Sequence, residues 1–462
     1  MDILLDLTEE LKAASLRIAN EVKSNGGRAL LVGGGVRDAL LGLKPKDIDI
    51  EVFGILPEKL EAILTKHFKI VKIGKSFGVL KLKGIEIDVS IPRRESKQGM
   101  GHKGFLIEGD PNLSFEEAAA RRDFTINAIS WDPLTGEFID PFHGREDLRK
   151  SILRHVSDKF SEDPLRVLRA MQIAARFDLE VDKETVELCS GIEPENLAKE
   201  RIFEEWKKLI VKGKRPSIGL KFLRDCGWIR YFPELEALIG CEQDPVWHPE
   251  GDVWVHTLHC MDEFARERIG DEWEDLIVGL GVLCHDVGKP VTSFTDEEGR
   301  IRSPGHDIMG VPIAREFLRR MTDEKVLIED VLVLVETHMR PAELYKVAAG
   351  SGAIRRLANK VGRIDRLIRV VSADMGGCPP KDKGEFLVGL KWFEEQGELL
   401  KVVDQAPKPI VLGRHLIEMG MEPGKAFKKI LNDCFEAQLD GQFDSLEGGL
   451  EYLKKYLEKT NR

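Results

Sequence analysis

Two aspartates stand two residues apart, Asp47 and Asp49, in the run Asp47-Ile-Asp-Ile-Glu-Val-Phe53, where polar and apolar residues alternate. Alternation predicts a strand, and residues two apart on a strand share a face, so both carboxylates can hold one or two Mg²⁺ ions together. Asp88, in the alternating run Ile85-Glu-Ile-Asp-Val-Ser90, is a candidate third carboxylate. Metals held this way suit phosphoryl transfer: they activate an attacking hydroxyl and neutralise a pyrophosphate leaving group. A solvated strand edge carries the same pattern, so the pair by itself leaves both readings open.

A glycine-rich run lies just upstream, Leu31-Val-Gly-Gly-Gly-Val-Arg-Asp-Ala-Leu-Leu-Gly42, between an expected strand and an expected helix. Backbone N–H groups there can approach a triphosphate. The run fits neither of the common phosphate-loop patterns, and a structural turn would read the same way. Further along, Asp163, Arg166 and Arg169 recur at i, i+3 and i+6, which on one helix puts them on successive turns. A surface ion pair is the plain alternative.

The elements that must position these residues change character along the chain. Thr8 to Ser24 has helix-forming composition with Thr8 as N-cap and Gly26-Gly27 as the stop. Strands are expected at Ala29 to Val32, Asp47 to Phe53, Val79 to Leu82 and Ile85 to Ile91, with a turn at Lys83-Gly84. From about Asp147 glycine thins out and helical periodicity takes over, as in Asp163 to Phe177. The fold class is therefore an α/β head followed by all-α regions.

The motifs of the first half occur in an order that resembles class II tRNA nucleotidyltransferases (CCA-adding enzymes) and bacterial poly(A) polymerases. The first runs from Gly33 through Arg37-Asp38 and Pro45 to Asp47 and Asp49; Arg121-Arg122-Asp123-Phe-Thr-Ile-Asn127 resembles the second. Asp140-Pro-Phe-His-Gly144 resembles the third, Glu162-Asp163-Pro-Leu-Arg166-Val-Leu-Arg169 the fourth and Glu200-Arg201-Ile-Phe-Glu-Glu205 the fifth. The resemblance implies a metal-dependent head with Asp47, Asp49 and Asp88 catalytic. It implies that Gly34 and Arg37 contact the triphosphate and that Arg122 and Arg169 add positive charge. It also implies that Asp163 and Arg166 read the base edge of the incoming nucleotide, a carboxylate accepting from an exocyclic amine and a guanidinium donating. The basic, glycine-rich stretch Pro92 to Gly104 resembles the family's loop for switching from C to A addition. The run Ile73-Gly-Lys75-Ser76-Phe77-Gly-Val-Leu80 looks like the CCA type.

In the second half, six of the eleven histidines fall between His248 and His338. His256, the adjacent His285-Asp286 and the distant Asp374 resemble the pattern of HD-domain phosphohydrolases, with His306 and His338 where multinuclear members add ligands. Imidazole with carboxylate suits Mn²⁺, Ni²⁺, Fe²⁺ or Mg²⁺ better than a thiolate zinc site, and no competing cysteine chemistry is expected there. His248 and His259 are expected to be structural. The resemblance implies phosphatase or 2′,3′-cyclic phosphodiesterase activity for this region, and a degenerate packing module is the alternative.

The domain expectation is then a nucleotidyltransferase head at 1–147, a helical neck and body at 148–245, an HD domain at 246–378 and a helical tail at 379–462. Expected partners are tRNA, CTP and ATP. Alternatives are an enzyme adding only CC or only A, a poly(A) polymerase, or an HD phosphohydrolase with a nucleotide-binding head; the intact Asp47/Asp49 pair opposes the last. Bulk properties fit an ordinary globular protein: 462 residues, 42% hydrophobic, 32% charged. A net charge of −11 excludes a broadly basic RNA-binding surface and leaves local patches, at Lys207 to Arg215 and Arg355 to Arg369. Seven scattered cysteines without a C-x-x-C pair argue against a zinc ribbon or a disulfide framework. With no leader and no membrane-length apolar run, a cytoplasmic location without membrane contact is expected.

Overall fold

The structure, a computed structural model, describes residues 3–73, 79–97, 105–195, 197–378 and 384–460. The chain divides into two compact units, Met1–Leu209 with Ile218–Trp228, and Ile210–Ser217 with Ile229–Arg462.

In the first unit, α1 (Glu9–Ser24) starts where the sequence expects it, the Thr8 hydroxyl accepting from Leu11 N at 3.3 Å. Its buried stripe of Leu11, Ala14, Ile18 and Val22 covers one face of a seven-stranded sheet, against Ala29, Leu31, Ile50 and Val52. The strands are β1 (Arg28–Val32), β2 (Ile48–Phe53), β3 (Ile70–Ile73), β4 (Val79–Leu82), β5 (Ile87–Ser90), β8 (Ser130–Trp131) and β9 (Phe138–Ile139). A separate hairpin, β6 (Arg93–Lys97) with β7 (Phe105–Gly109), accounts for the remaining numbers. The sheet order is β3-β4-β5-β2-β1-β8-β9. β2 runs antiparallel to β1 but parallel to β5, a crossover that places two sequence-distant carboxylates side by side.

The helices that follow in this unit are α2 (Gly34–Leu40), α3 (Pro57–Leu64), α4 (Phe115–Ala119), α5 (Gly144–Lys150), α6 (Leu165–Phe177), α7 (Lys183–Ser190), most of α8 (Lys199–Lys212) and most of α9 (Pro216–Asp225). Four residue-pair strands beyond Asp147 (at 152–153, 180–181, 294–295 and 301–302) are the exceptions to the all-helical expectation. Residues 74–78 of the CCA-type run and 98–104 of the switching-loop stretch lie outside the described residues.

The second unit is helical. After α10 (Pro233–Glu236) come α11 (Val253–Arg266), α12 (Glu272–Cys284), α13 (Lys289–Thr292), α14 (His306–Met321), α15 (Lys325–Thr337), α16 (Arg340–Lys346), α17 (Ser351–Val361) and α18 (Ile364–Gly377). α12 is buried from Leu276 to Cys284, so its continuous apolar run marks a central helix. Among the described residues no helix is long and apolar enough to cross a membrane. α19 (Gly384–Leu399), α20 (Gly413–Glu418), α21 (Lys425–Leu439) and α22 (Leu446–Thr460) close the chain, the last three around a small core of Val411, Leu416, Ile430, Cys434, Phe443 and Leu453.

Candidate active site and candidate metal centre

In the head, burial alternates as a half-exposed strand requires: Asp47 and Asp49 are exposed while Ile48 and Ile50 are buried. Asp49 lies directly opposite Asp88 in the parallel β2–β5 register and opposite Val32 in β1, the last residue before the glycines. Gly33 takes φ +74°, and a Cβ there would sit 3.2 Å from Arg122 Nη1 and 3.4 Å from Asp49 Oδ2. The turn thus stays open between the acidic pair and a basic side chain because position 33 carries no side chain. Although Asp49 keeps solvent exposure, the surrounding protein desolvates its carboxyl and pushes it above its ordinary value; Arg122 opposes this, and Asp47, Asp88 and Glu51 push further. Asp88 Oδ1 is buried with no hydrogen-bond partner among the described residues, and Lys81 Nζ lies 4.0 Å from it. Crowded carboxylates with an orphan oxygen fit a divalent cation, whose charge removes the mutual repulsion.

The arginines of the motifs are locked into one chain of contacts. Arg37, at the buried side of α2, donates to Asn127 Oδ1 at 2.5 Å and to Asp38 Oδ1 at 2.6 and 2.9 Å. Asn127 Nδ2 donates to Asp123 Oδ1 at 2.8 Å, and Asp123 Oδ2 accepts from Arg169 at 2.6 and 2.8 Å. Burial would raise the Asp123 carboxyl, yet Arg169, Asn127 and the Phe124 N–H hold it below its ordinary value. Arg121 and Arg122 both reach the buried Glu51 of β2, at 2.9 and 3.3 Å.

Two expectations need correction here. Asp163 does not share a helix with Arg166 and Arg169: Pro164 follows it, its φ and ψ of −122° and 103° are extended, and α6 begins at Leu165. A residue preceding proline is driven out of the helical region. Asp163 instead accepts from Leu165 N at 3.1 Å and from Arg201 of the fifth motif at 3.0 Å. Arg166 donates to Lys159 O at 2.9 Å and Arg121 O at 2.8 Å. Both retain acceptor and donor capacity beyond these bonds. The basic group from Arg355 to Arg369 is also not an open patch. Arg366 forks onto the Glu274 carboxylate at 2.6 and 2.8 Å and reaches Asp330, while Arg369 pairs with Asp275 and Arg356 with Asp440.

In the second unit the six predicted ligand positions converge. α11 packs along α18 at Gly377, where a Cβ would lie 2.4 Å from Cys260 Sγ, and this approach brings His256 Nε2 to 2.9 Å from Asp374 Oδ1. His285 Nε2 is 3.2 Å from Asp286 Oδ2 and 3.7 Å from Asp374 Oδ1; His306 Nε2 is 3.3 Å from Asp286 Oδ1. His285, His306 and His338 each have Nδ1 on a backbone carbonyl, of Val282, Ser303 and Val335, at 2.7, 2.8 and 2.7 Å. A carbonyl only accepts, so Nδ1 carries the proton and Nε2 presents its lone pair inward. His306 Nε2 and His338 Nε2 then face each other at 3.0 Å as two acceptors, and His285 Nε2 is buried without a hydrogen bond among the described residues. Only a proton or a cation resolves that arrangement, so the donor set fits a metal.

Burial, with His285 and His306 nearby, pushes His338 down to about 4, which keeps it neutral. Burial also works against charge on His285, but Asp286 and Asp374 raise it. Sequence reasoning did not find Lys289, whose Nζ lies 2.7 Å from Asp286 Oδ2 and 2.6 Å from Gln243 Oε1. A cavity of about 1070 Å³ opens onto Asp286, Lys289, His306, His338 and Asp374. The expected absence of cysteine is corrected: Cys260 Sγ is 3.3 Å from His256 Nε2, and Cys378 lies on the other side of the same ring. His259 is structural as expected, bonding Gly377 O at 3.1 Å, whereas His248 meets Glu250 beside His256.

The sequence matches the Poly A polymerase head domain over residues 29–154, the probable RNA and SrmB-binding site of polymerase A over 178–239, and the HD domain over 256–373. It is 34% identical over 372 residues to a multifunctional CCA protein of Laribacter hongkongensis (strain HLHK9), covering 78% of this chain and 87% of the relative. Its fold is similar to a Bacillus stearothermophilus CCA-adding enzyme in complex with CTP, with TM-score 0.66 and 23% identity over 98% of this chain and 99% of the other. A Thermotoga maritima CCA-adding enzyme complexed with tRNA gives TM-score 0.60 and 20% identity over 98% of each chain.

Proposed function

The chain belongs to the CCA-adding nucleotidyltransferase family, and from that premise we propose that it completes the tRNA 3′ end with C, C and A from CTP and ATP, without a nucleic-acid template. The observation that carries this is the Asp49–Asp88 pairing beside the Gly33 turn, with the Asp47 charge close enough to act on Asp49. The 3′-hydroxyl of the RNA forms a bond to the α-phosphorus of the nucleotide, the α–β anhydride breaks, and pyrophosphate leaves. Asp47, Asp49 and Asp88 would hold Mg²⁺, which when bound supplies Lewis acidity to the hydroxyl and the triphosphate. Arg37 and Arg122 hold positive charge where the triphosphate enters beside Gly34; Arg169 steadies Arg37 through Asp123 and Asn127, and Glu51 pairs with Arg122. Asp163 and Arg166 select the base by edge pairing. Incubation with tRNAs ending before C74, after C75 and after A76, each with labelled CTP or ATP, tests the proposal. Full CCA addition is expected; incorporation of C alone, A alone or long A tails refutes it.

For the second unit we propose a divalent-metal phosphohydrolase centre formed by His256, His285, Asp286, His306, His338 and Asp374. The facing Nε2 lone pairs of His306 and His338 support it. A Mn²⁺, Ni²⁺, Fe²⁺ or Mg²⁺ ion there would polarise a water and a phosphoester. Lys289, at the cavity wall, supplies a fixed cation for a phosphate. Replacing His285 and Asp286 by alanine should abolish phosphatase and 2′,3′-cyclic phosphodiesterase activity while C and A addition persists. A wild-type chain with no hydrolysis under any of these ions overturns it.

A further inference from the structure

A second cluster lies against the far edge of His256, and its donors differ in kind. His248 Nδ1 and His256 Nδ1 lie 2.9 and 2.8 Å from one oxygen, Glu250 Oε1. Cys378 Sγ is 3.5 Å from that oxygen, 3.7 Å from His248 Nδ1 and 3.9 Å from His256 Nδ1. One donor atom from each of the four residues falls within 4.8 Å of the others. The Glu250 side chain is 0% exposed, and its second oxygen, Oε2, is buried with no hydrogen-bond partner among the described residues. A fully buried carboxylate with an orphan oxygen is unfavourable unless a cation joins it.

The spacing is that of a small tetrahedral ion. With nitrogen and oxygen near 2.0–2.1 Å and sulfur near 2.3 Å from zinc, tetrahedral angles put donor atoms about 3.3–3.6 Å apart. Five of the six donor pairs span 2.8 to 3.9 Å and all lie within 4.8 Å, so side-chain adjustments of about 1 Å close the cluster around one ion. Imidazole, carboxylate and thiolate together favour zinc, because a thiolate donor is absent from the six ligands of the neighbouring imidazole–carboxylate centre.

We propose that His248, Glu250, His256 and Cys378 form a zinc site, separate from the proposed hydrolytic centre and sharing with it only the His256 ring. Nδ1 of that ring faces the zinc donors, and Nε2 faces Asp374. Zinc binding releases the Cys378 thiol proton and any Nδ1 proton of His248 and His256 to solvent, leaving the His256 Nε2–H to donate to Asp374; with both centres filled the ring would be a bridging imidazolate, its Nε2 proton also released. The ion ties the loop preceding α11 to the residue following α18, two segments that line the cavity. This assignment does not require the hydrolytic centre to be active.

The test compares wild type, Cys378→Ser and His338→Ala after removal of metal and reloading with Co²⁺ or Zn²⁺. Wild type and His338→Ala should show thiolate-to-cobalt charge-transfer absorption. Cys378→Ser should lose it together with about one equivalent of zinc, while tRNA 3′-end addition stays at the wild-type rate and reports an intact fold. Persistence of the band in Cys378→Ser would assign it to Cys260 and overturn the proposal. So would undiminished zinc content in that variant, loss of the band in His338→Ala, or a wild type without the band.

Discussion

Replacing Gly144 with alanine probes how the third motif serves a site it does not touch. Asp140 caps α5 by accepting from Gly144 N at 2.7 Å and Arg145 N at 2.9 Å, so the motif is a helix start. A Cβ at Gly144 would lie 2.1 Å from Thr125 O, 2.6 Å from Thr125 C and 2.9 Å from Ile129 Cγ1. A relaxed carbon–oxygen contact is about 3.3 Å, so α5 and the Thr125–Asn127 turn must part by roughly 1 Å. That turn ends on Asn127, which holds Arg37 on one side and Asp123 on the other. Overpacking of this kind costs about 1–3 kcal/mol of stability, and a misplacement near 1 Å costs up to ~10²-fold in rate. In single-turnover addition of labelled CTP to tRNA lacking its CCA end, Gly144→Ala should fall about 10- to 100-fold below wild type. Its melting transition should drop by several degrees. Gly191→Ala, whose new methyl would meet nothing closer than 3.7 Å, is the control. If Gly144→Ala matches that control in rate and melting, the turn is not held by this contact and the reasoning fails.

Alanine at Asp47 or at Asp49 should nearly abolish nucleotide incorporation while tRNA binding and the melting transition persist; near-normal incorporation by either variant sinks the assignment. Asp163→Ala should relax discrimination among CTP, ATP, UTP and GTP more than it weakens triphosphate binding, and a variant with full selectivity would exclude the pairing role. Asp123→Asn should cost about 1–3 kcal/mol, below the fully buried figure because Arg169 keeps 35% of its side chain exposed. The folded Asp123 carboxyl titrates below its ordinary value, so its contribution is present at neutral pH and disappears as pH falls through the folded pKa. Denaturant titrations should therefore show the wild-type advantage over Asp123→Asn shrinking below about pH 4, and an advantage unchanged at pH 2 contradicts the assignment.

The sequence carried the sheet of the head because its cues are local: period-two burial around Asp47 and Asp49, and turns at glycines, are properties of a few neighbouring residues. The parallel pairing that sets Asp49 beside Asp88 is a property of topology; the sequence offered Asp88 only as a candidate third carboxylate on a later strand, without its neighbour. The helical phase given to Asp163 failed because i, i+3 spacing was counted through Pro164. The Arg37–Asn127–Asp123–Arg169 chain was invisible for another reason: its links join residues 90 and 46 positions apart. The same holds for Cys378 and His248, 130 positions apart, which no spacing rule connects. Conversely, the basic run at Arg355 to Arg369 looked open because the sequence does not reveal that Glu274, Asp275 and Asp330 pack against it.

Three imidazoles of the second unit take their orientation from a carbonyl three positions earlier in the chain, at Val282, Ser303 and Val335. Which nitrogen of each ring faces the carbonyl and which faces inward is therefore written into the turn that bears it. Residues elsewhere around the cavity can drift, and with them the shape of what enters, without disturbing which nitrogen faces inward. Three local turns thus fix the inner face of the cavity, whatever side chains line the rest of it.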